Sequence, residues 1–462
     1  MSRLSAAALP PSLRDVPAAQ LFPEVFARDL HHRGFARGGK AAAQGALRQI
    51  DPVTYGRDRS QLDGHVSRLS PYLRHGVLTL SEVRDAALAH APETAPSRVW
   101  KYVNELSWRD YSTRVYAEIG DLVWQDLHPY QTGLPASTYA RSFPSDIAAA
   151  KTGAACIDAW SRDLQETGYL HNHIRMWLAS YVVHHRRVWW QAGAAWFLTH
   201  LLDGDPASNN LGWQWVASTW RAYPYLWNRD NLTKYAGERY CSACPLAQKG
   251  CPFDATYAAL SARLFAGKTA APGETGALDP ARLQAVPWEP PPTPEVVPNT
   301  VVWVHGDRLS PTHEALVSHS HPGRPAVFVW DDPLLSQWEI SAKRRTFIHE
   351  CLQELPVHVL RGDVATEVER FARAHRAGTV ATTPSPSPRF AAIKAALEGA
   401  GLQVQVWPAP VFGASLTPLD LRVHADYWRQ ISASAFGKVP ALPKAKRPRT
   451  RKAGPMKTES GA

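Results

Sequence analysis

The feature that most constrains this chain is a change of hydrophobic period across VPWEPPPTPEVVPNT, residues 286–300. Before it, apolar residues recur at three- and four-residue spacing, as in SEVRDAALAHA and RVWKYVNELSWRDYSTRVYAEI, the pattern of amphipathic helices. After it, short apolar runs alternate with helical patterns. TVVWV, RPAVFVWDD, VHVLRGD, GTVATT and LQVQVWP read as strands. EISAKRRTFIHECLQEL reads as an amphipathic helix, and TEVERFARAH and RFAAIKAALEGAG as helices. Such alternation predicts a doubly wound α/β domain with a parallel sheet. The expected organisation is a mostly α-helical domain over 1–265, a stiff proline-rich linker over 266–298, the α/β domain over 299–436 and a tail over 437–462. The turn after the first strand, HGDRLSP, is not G-x-G-x-x-G, so dinucleotide binding is unsupported there.

With 462 residues, 45% of them apolar, the chain has enough material for two cores. No run of about 18 uncharged apolar residues is present, so no membrane span is expected. The start carries no secretory pattern, and five cysteines in so long a chain fit a reducing compartment, so the expectation is cytoplasmic. The net charge of +10 is uneven. From Lys438 onward eight Lys/Arg stand against Glu459 alone, a net of +7 that leaves +3 for the rest. That tail reads as disordered, either a non-specific DNA-phosphate contact or a solubilising end.

The helical part holds the chemistry-bearing text and 12 of the 18 tryptophans. In LLDGDPASNNLGWQWVAST, Asp203 and Asp205 flank a glycine, a pattern for a cation, for ring N–H or sugar hydroxyl groups, or for a solvated loop. Trp213 and Trp215, two apart, cannot share a helix face. GYLHNHIRMWLASYVVHHRRVWW reads as one helical run carrying Asn172, Arg175 and several histidines, without the i, i+4 pairing that zinc helices use. In SRLSPYLRHG, Ser67, Arg68 and Ser70 precede a helix, which suits a phosphate or a simple N-cap.

In their order and spacing, SRLSPYLRHG at 67–76, ELSWRDY at 105–111 and GYLHNHIRM with LLDGDPASNNLGWQW at 168–215 resemble the FAD-binding helical domain of the photolyase/cryptochrome family. The resemblance implies a folded-up FAD. Tyr55, Ser67, Arg68, Leu69 and Ser70 would hold its phosphates, and Asp203 and Asp205 would meet the flavin edge and ribose. Arg175 would bridge to Asp203, Arg109 would join the cofactor shell, and Asn209 would sit beside the flavin. Trp213 and Trp190 would begin an electron-transfer chain whose usual third tryptophan has no counterpart near residue 137, leaving Trp160, Trp177 or a tyrosine as substitutes.

The same resemblance places Glu105, Trp108, Asn172, Met176 and Trp215 around a flipped-out cyclobutane pyrimidine dimer, two joined neighbouring pyrimidines taken out of the stack. It therefore implies light-driven repair of UV-damaged DNA by a monomer. The alternatives are a cryptochrome-like photoreceptor without repair, or (6-4) lesion repair. The chain departs from the family at Val66, at Leu211 and at His173, where an arginine is usual near the DNA backbone. The α/β part resembles the family's antenna domain in a permuted position, with its chromophore unidentified.

ERYCSACPLAQKGCPFD sets Cys241, Cys244 and Cys251 close together, matching neither a four-cysteine zinc ribbon nor a thioredoxin-like pair. Within the family, a bacterial branch binds a [4Fe–4S] cluster through three such cysteines and a fourth upstream of the histidine-containing helix. Cys156 stands in that place, and zinc or free thiols are the other readings. Cys351 reads as a buried apolar residue.

Overall fold

The computed structural model describes residues 9–91, 95–248, 250–287, 292–310 and 321–437. The basic tail from 438 on therefore lies outside the described residues, as do 288–291 of the proline-rich segment.

The helical half is built on α1 (Pro52–Asp58), α2 (Ser70–Arg74), α3 (Leu80–Leu88), α4 (Trp100–Ile119), α5 (Ala155–Thr167), α6 (Asn172–Ser180), α7 (Trp190–His200), α8 (Pro206–Ala217) and α9 (Arg229–Ala236). Local chemistry sets the ends. Thr79 and Glu82 form a reciprocal capping box on α3. Asp205 caps α8 through the amides of Ala207 and Ser208, with Pro206 in the first turn. Gly168 ends α5 in the left-handed conformation at φ 69°.

The run expected to be one helix from 168 to 190 is broken. Helix α6 stops at Ser180, a π-type turn covers Tyr181–His185, and α7 begins only at Trp190. Two interactions account for the break. Buried His184 bonds the carbonyl of Val216 at 3.0 Å, and Arg187 takes φ 52°, which no right-handed helix accommodates.

In the α/β half, β1 (Thr300–Val304), β2 (Ala326–Asp331), β3 (His358–Gly362), β4 (Thr379–Thr382) and β5 (Gln403–Val406) form one parallel sheet in the order 3-2-1-4-5. Helices α10 (Ala342–Gln353), α11 (Val364–Ala374) and α12 (Pro388–Gly399) accompany it, and α13 (His424–Ala435) follows β5. The expected doubly wound arrangement is what forms.

Alternation along each strand divides the sheet. Val301, Trp303, Val327 and Val329 pack with α11 and α12. Val302, Val304, Phe328 and Trp330 join Leu69, Tyr72, Tyr102 and Leu202 of the helical half in one continuous core. The N-terminal segment closes the β3 edge, with Leu13 N–H donating to the Val359 carbonyl at 2.8 Å.

Helix α10 departs from the amphipathic expectation. Lys343, Arg344 and Arg345 are all buried, because α10 lies between the sheet and the helical half. The Arg344 guanidinium donates to the carbonyls of Leu198 and Gly204, and Arg345 to that of Ile340. The segment after 265 is likewise strapped down rather than free. Ala266 and Gly267 donate to Thr132, Ala277 to Asp126 and Leu278 to Leu127, and Val286 pairs with Leu419.

In doubly wound sheets, ligands bind beyond the strand C-termini where the strand order reverses. Here that crevice, between β1 and β4, faces the helical half. Arg74 pairs with Asp307, which also accepts from Ser385, and His75 bonds the carbonyls of Gly306 and Leu202 at 3.0 and 3.2 Å. No helix among the described residues is long and apolar enough to cross a membrane.

Candidate functional site

The Asp203-Gly204-Asp205 loop joins α7 to α8 and gathers cations from four elements. Arg175 on α6 bonds Asp203 at 3.0 Å, and Arg109 on α4 bonds Asp205 at 3.2 Å. Arg74 on α2 donates to the Gly204 carbonyl at 2.9 Å, and Arg344 of α10 donates to the same oxygen. A Cβ on residue 204 would lie 2.5 Å from Arg344 Nη1, so a side chain there would have to displace that guanidinium from its carbonyls. Burial by itself raises the Asp203 carboxyl, but Arg175, Arg109 and the Ser70 hydroxyl outweigh it and hold the group below the usual carboxylate range. Burial and nearby Arg74 push the Arg344 guanidinium down to about 9, opposed by Asp203, Asp205 and Asp307.

Of the residues expected at the phosphates, Leu69 is buried and forms the N-cap position of α2, which has no side-chain cap. The serines therefore do not serve as its cap. Ser70 lies against Asp203, and Tyr55 packs edge-on against Tyr102 at 4.9 Å. Arg68 is exposed in the left-handed conformation at φ 53°, its guanidinium 5.0 Å above the Tyr169 ring, with no ion pair among the described residues. A non-glycine residue in that conformation carries about 1–2 kcal/mol of strain.

The two ends of the site differ in chemistry. Arg68 with Ser67 offers donors to an anion, while Ser70 already serves Asp203, and Asp203 and Asp205 offer acceptors to N–H and O–H groups. That opposed donor set is compatible with a molecule that carries phosphates at one end and N–H and hydroxyl groups at the other, as FAD does. Asn209 stands one turn into α8, its amide donating to the Ala194 carbonyl at 3.1 Å.

Trp213 is buried against Phe197, ring centroids 4.9 Å apart, and its indole N–H has no partner among the described residues. Trp190 donates to Asp126 at 2.6 Å. Trp160 and Trp177 are fully buried and form a triangle with Trp227, with centroids 5.6–5.7 Å apart.

The expected substrate residues come from three packed helices, α4, α6 and α8. Trp108 is 42% exposed, an unusual state for an indole, and Trp215 is half-buried with Arg221 4.0 Å above its ring. Met176 is half-buried, and Asn172 opens α6 behind His171, whose ring accepts from the His173 amide. Glu105 is held by two cations, Lys101 at 2.5 Å and Arg59 at 3.4 Å.

Arg59 also lies close enough to His173 to lower its pKa further, behind the larger effect of burial. A positive charge thus lies near His173, although Arg59 is itself paired with Glu105. Sequence reasoning missed Arg59, Lys101 and Asp126. The motif blocks carry no text for them: Lys101 is an i,i+4 partner of Glu105 that helical spacing could have found, whereas only the fold brings Arg59 to Glu105 and Asp126 to Trp190.

Cys156, Cys241, Cys244 and Cys251 line one cavity with Arg229, Tyr240 and Phe253. Burial, then the three neighbouring thiols, push the Cys156 thiol up. Among the described residues no group of three or more His, Cys, Asp or Glu side chains is gathered in an arrangement that would hold a metal ion. Cys351 is buried and accepts from the Gly39 amide at 3.2 Å.

Residues 102–236 match the family described as FAD binding domain of DNA photolyase. The deoxyribodipyrimidine photo-lyase of Streptomyces griseus is 34% identical over 196 residues, 40% of this chain and 40% of the relative. That of Escherichia coli K12 is 35% identical over 181 residues, 37% and 36% respectively. A bacterial class III photolyase from Agrobacterium tumefaciens, known from its crystal structure, overlays at TM-score 0.38 and 24% identity, over 59% of this chain and 56% of that one. The chain thus spans about two fifths of the length of the curated relatives it matches. Residues 102–236 hold the DGD loop, Arg109, Arg175, Trp108 and Trp215, and over that stretch the chain is similar to the FAD-binding domain of DNA photolyase.

Proposed function

We propose that this protein is a light-driven DNA lyase that binds FAD and splits cyclobutane pyrimidine dimers in UV-damaged DNA. The observation that carries the reading is the open Trp108 indole beside a doubly paired Glu105, on a helix that also sends Arg109 to the DGD loop. Substrate and cofactor residues thus occupy successive turns of α4.

When bound and reduced, FAD supplies a light-excitable one-electron donor. Splitting the dimer breaks two carbon–carbon bonds and is redox-neutral overall. The chain's own residues do the rest. Arg68 and Ser67 would receive the diphosphate, with Ser70 joining them only by turning its hydroxyl from Asp203, and Asp203 and Asp205, fixed by Arg175 and Arg109, would receive the N–H and hydroxyl groups. Trp108 and Trp215 offer aromatic planes to bases whose stacking the lesion has already weakened. Glu105 accepts and Asn172 donates hydrogen bonds at the pyrimidine edges, while Met176 excludes water. Arg59 keeps Glu105 in place and adds positive charge near the phosphates. Trp190 and Trp213 conduct electrons inward when the cofactor must be re-reduced.

The test uses flavin-loaded protein and an oligonucleotide with one defined dimer. Light-dependent loss of the dimer supports the reading. Flavin photoreduction without dimer loss would leave a photoreceptor instead, and loss of a (6-4) lesion alone would reassign the substrate.

The [4Fe–4S] reading is supported by the donor chemistry of four cysteines that line one cavity, drawing on α5 and on the loop after α9, and not by a preformed metal-binding arrangement of their thiols among the described residues. About four irons per chain in anaerobically purified protein, lost in Cys156→Ala, is the expected result. Stoichiometric zinc without iron would overturn it.

A further inference from the structure

The helix that follows the α/β sheet returns to α4 and lays one side chain on the most exposed indole of the candidate lesion cavity. His424, the first residue of α13, stacks on Trp108 with ring centroids 3.6 Å apart and planes 8° from parallel. We infer that His424 is a positioning residue for Trp108, the back wall of an aromatic platform whose open face takes the extruded pyrimidine dimer. The inference rests on the lesion-cavity reading above.

Three observations fix which face is covered. His424 Nε2 lies 2.8 Å from the hydroxyl of Ser107, a fully buried residue of α4. That hydroxyl donates to the Asn104 carbonyl at 2.6 Å, so its oxygen accepts from an Nε2–H imidazole. The imidazole also meets buried Tyr111 edge-on at 5.4 Å. His424 therefore stands on the core side of the indole. With buried His424 covering one face, the 42% exposure of Trp108 is left to the rest of the indole.

The consequence is pre-organisation. An unsupported indole on an exposed helix face samples several rotamers and loses that freedom when a base stacks on it. Here the imidazole is tethered to α4 through Ser107 and pins the indole flat before any ligand arrives. Burial, then nearby Lys101, hold the imidazole neutral by lowering its pKa to about 4, so the stack introduces no charge behind the base. Aromatic pairing of this kind is worth about three- to tenfold in an equilibrium.

Full-length, flavin-loaded protein is titrated in the dark with an oligonucleotide bearing one thymine dimer, with its undamaged counterpart as control. His424→Ala is expected to raise the Kd for the dimer about three- to tenfold. Affinity for undamaged DNA, the rate of flavin photoreduction and the dimer repaired per photon at saturating DNA are expected to stay at wild-type values. His424→Phe keeps a ring on the indole and is expected to restore dimer affinity to within about twofold. Ser107→Ala frees the tether and falls between. Wild-type dimer affinity in His424→Ala, or equal losses in His424→Ala and His424→Phe, overturns the inference. A wild-type chain that neither binds nor repairs the dimer overturns the lyase reading and the platform with it. Repair by wild type with no effect of either variant overturns the platform alone.

Discussion

Asp203 is a carboxylate taken almost wholly out of water, which is tolerable only because its charge is matched. Arg175 at 3.0 Å and neighbouring Arg109 outweigh the burial, so its folded pKa lies below the unfolded value of about 3.9. A depressed carboxylate contributes stability in full above the unfolded value and loses it as pH falls through the folded one. Arg175→Ala removes the partner and leaves the charge buried, a loss of about 3 kcal/mol or more at pH 7. Thermal melting is expected to show a large gap between wild type and Arg175→Ala at neutral pH, narrowing below about pH 4 as Asp203 is protonated in both. The variant should also purify with less flavin, read from its absorbance. An unchanged gap down to pH 3 would mean that Asp203 is not the group responsible.

Between elements, the α7–α8 contact depends on one missing methyl. A Cβ on Gly193 would lie 2.2 Å from the Trp213 ring, against the six-membered edge of a rigid indole. Replacing a helical glycine by alanine gains about 1 kcal/mol of helix propensity. Overpacking a buried aromatic contact loses about 1–3 kcal/mol, and the second effect is the larger. Gly193→Ala is therefore expected to lower the melting temperature and slow flavin photoreduction by displacing Trp213. A melting temperature above wild type with unchanged photoreduction would show that the helices part without moving the indole. At the start of α3, Thr79→Ala removes the side-chain half of the capping box and is expected to destabilise by about 1 kcal/mol, measured by denaturant titration.

At the scale of the whole molecule, the two halves share one apolar core and are locked by the Arg74–Asp307 pair. Burial raises the Asp307 carboxyl, and Arg74, His305 and Ser385 pull it down further than burial lifts it. Asp307→Asn leaves Arg74 buried without its partner, and a loss of about 3–5 kcal/mol is expected. Because Arg74 also holds the Gly204 carbonyl, the damage should reach the DGD loop: denaturant unfolding should split into two transitions, with flavin released in the first. A single transition at the wild-type midpoint would show that the interface rests on its apolar core alone.

The change of hydrophobic period was enough to read the two structural classes and the doubly wound sheet, because strand and helix periodicities are local properties of the text. The DGD, NNLGWQW and SRLSP blocks were legible for the same reason: a short motif keeps its residues within a turn or two of one another. Sequence failed where the deciding neighbour is remote. Nothing in EISAKRRTFIHECLQEL says that three successive cations will be buried, since that follows from which carbonyls the other half presents. The 168–190 run looked continuous because His184 meets Val216 only in the fold. Arg59 against Glu105, Arg74 against Asp307 and His424 against Trp108 join residues 46 to 316 positions apart. The sequence by itself determined the elements and the chemistry each motif carries. Only tertiary structure decided which charges are paired and which face of Trp108 is left open, because desolvation and stacking depend on what lies across the gap.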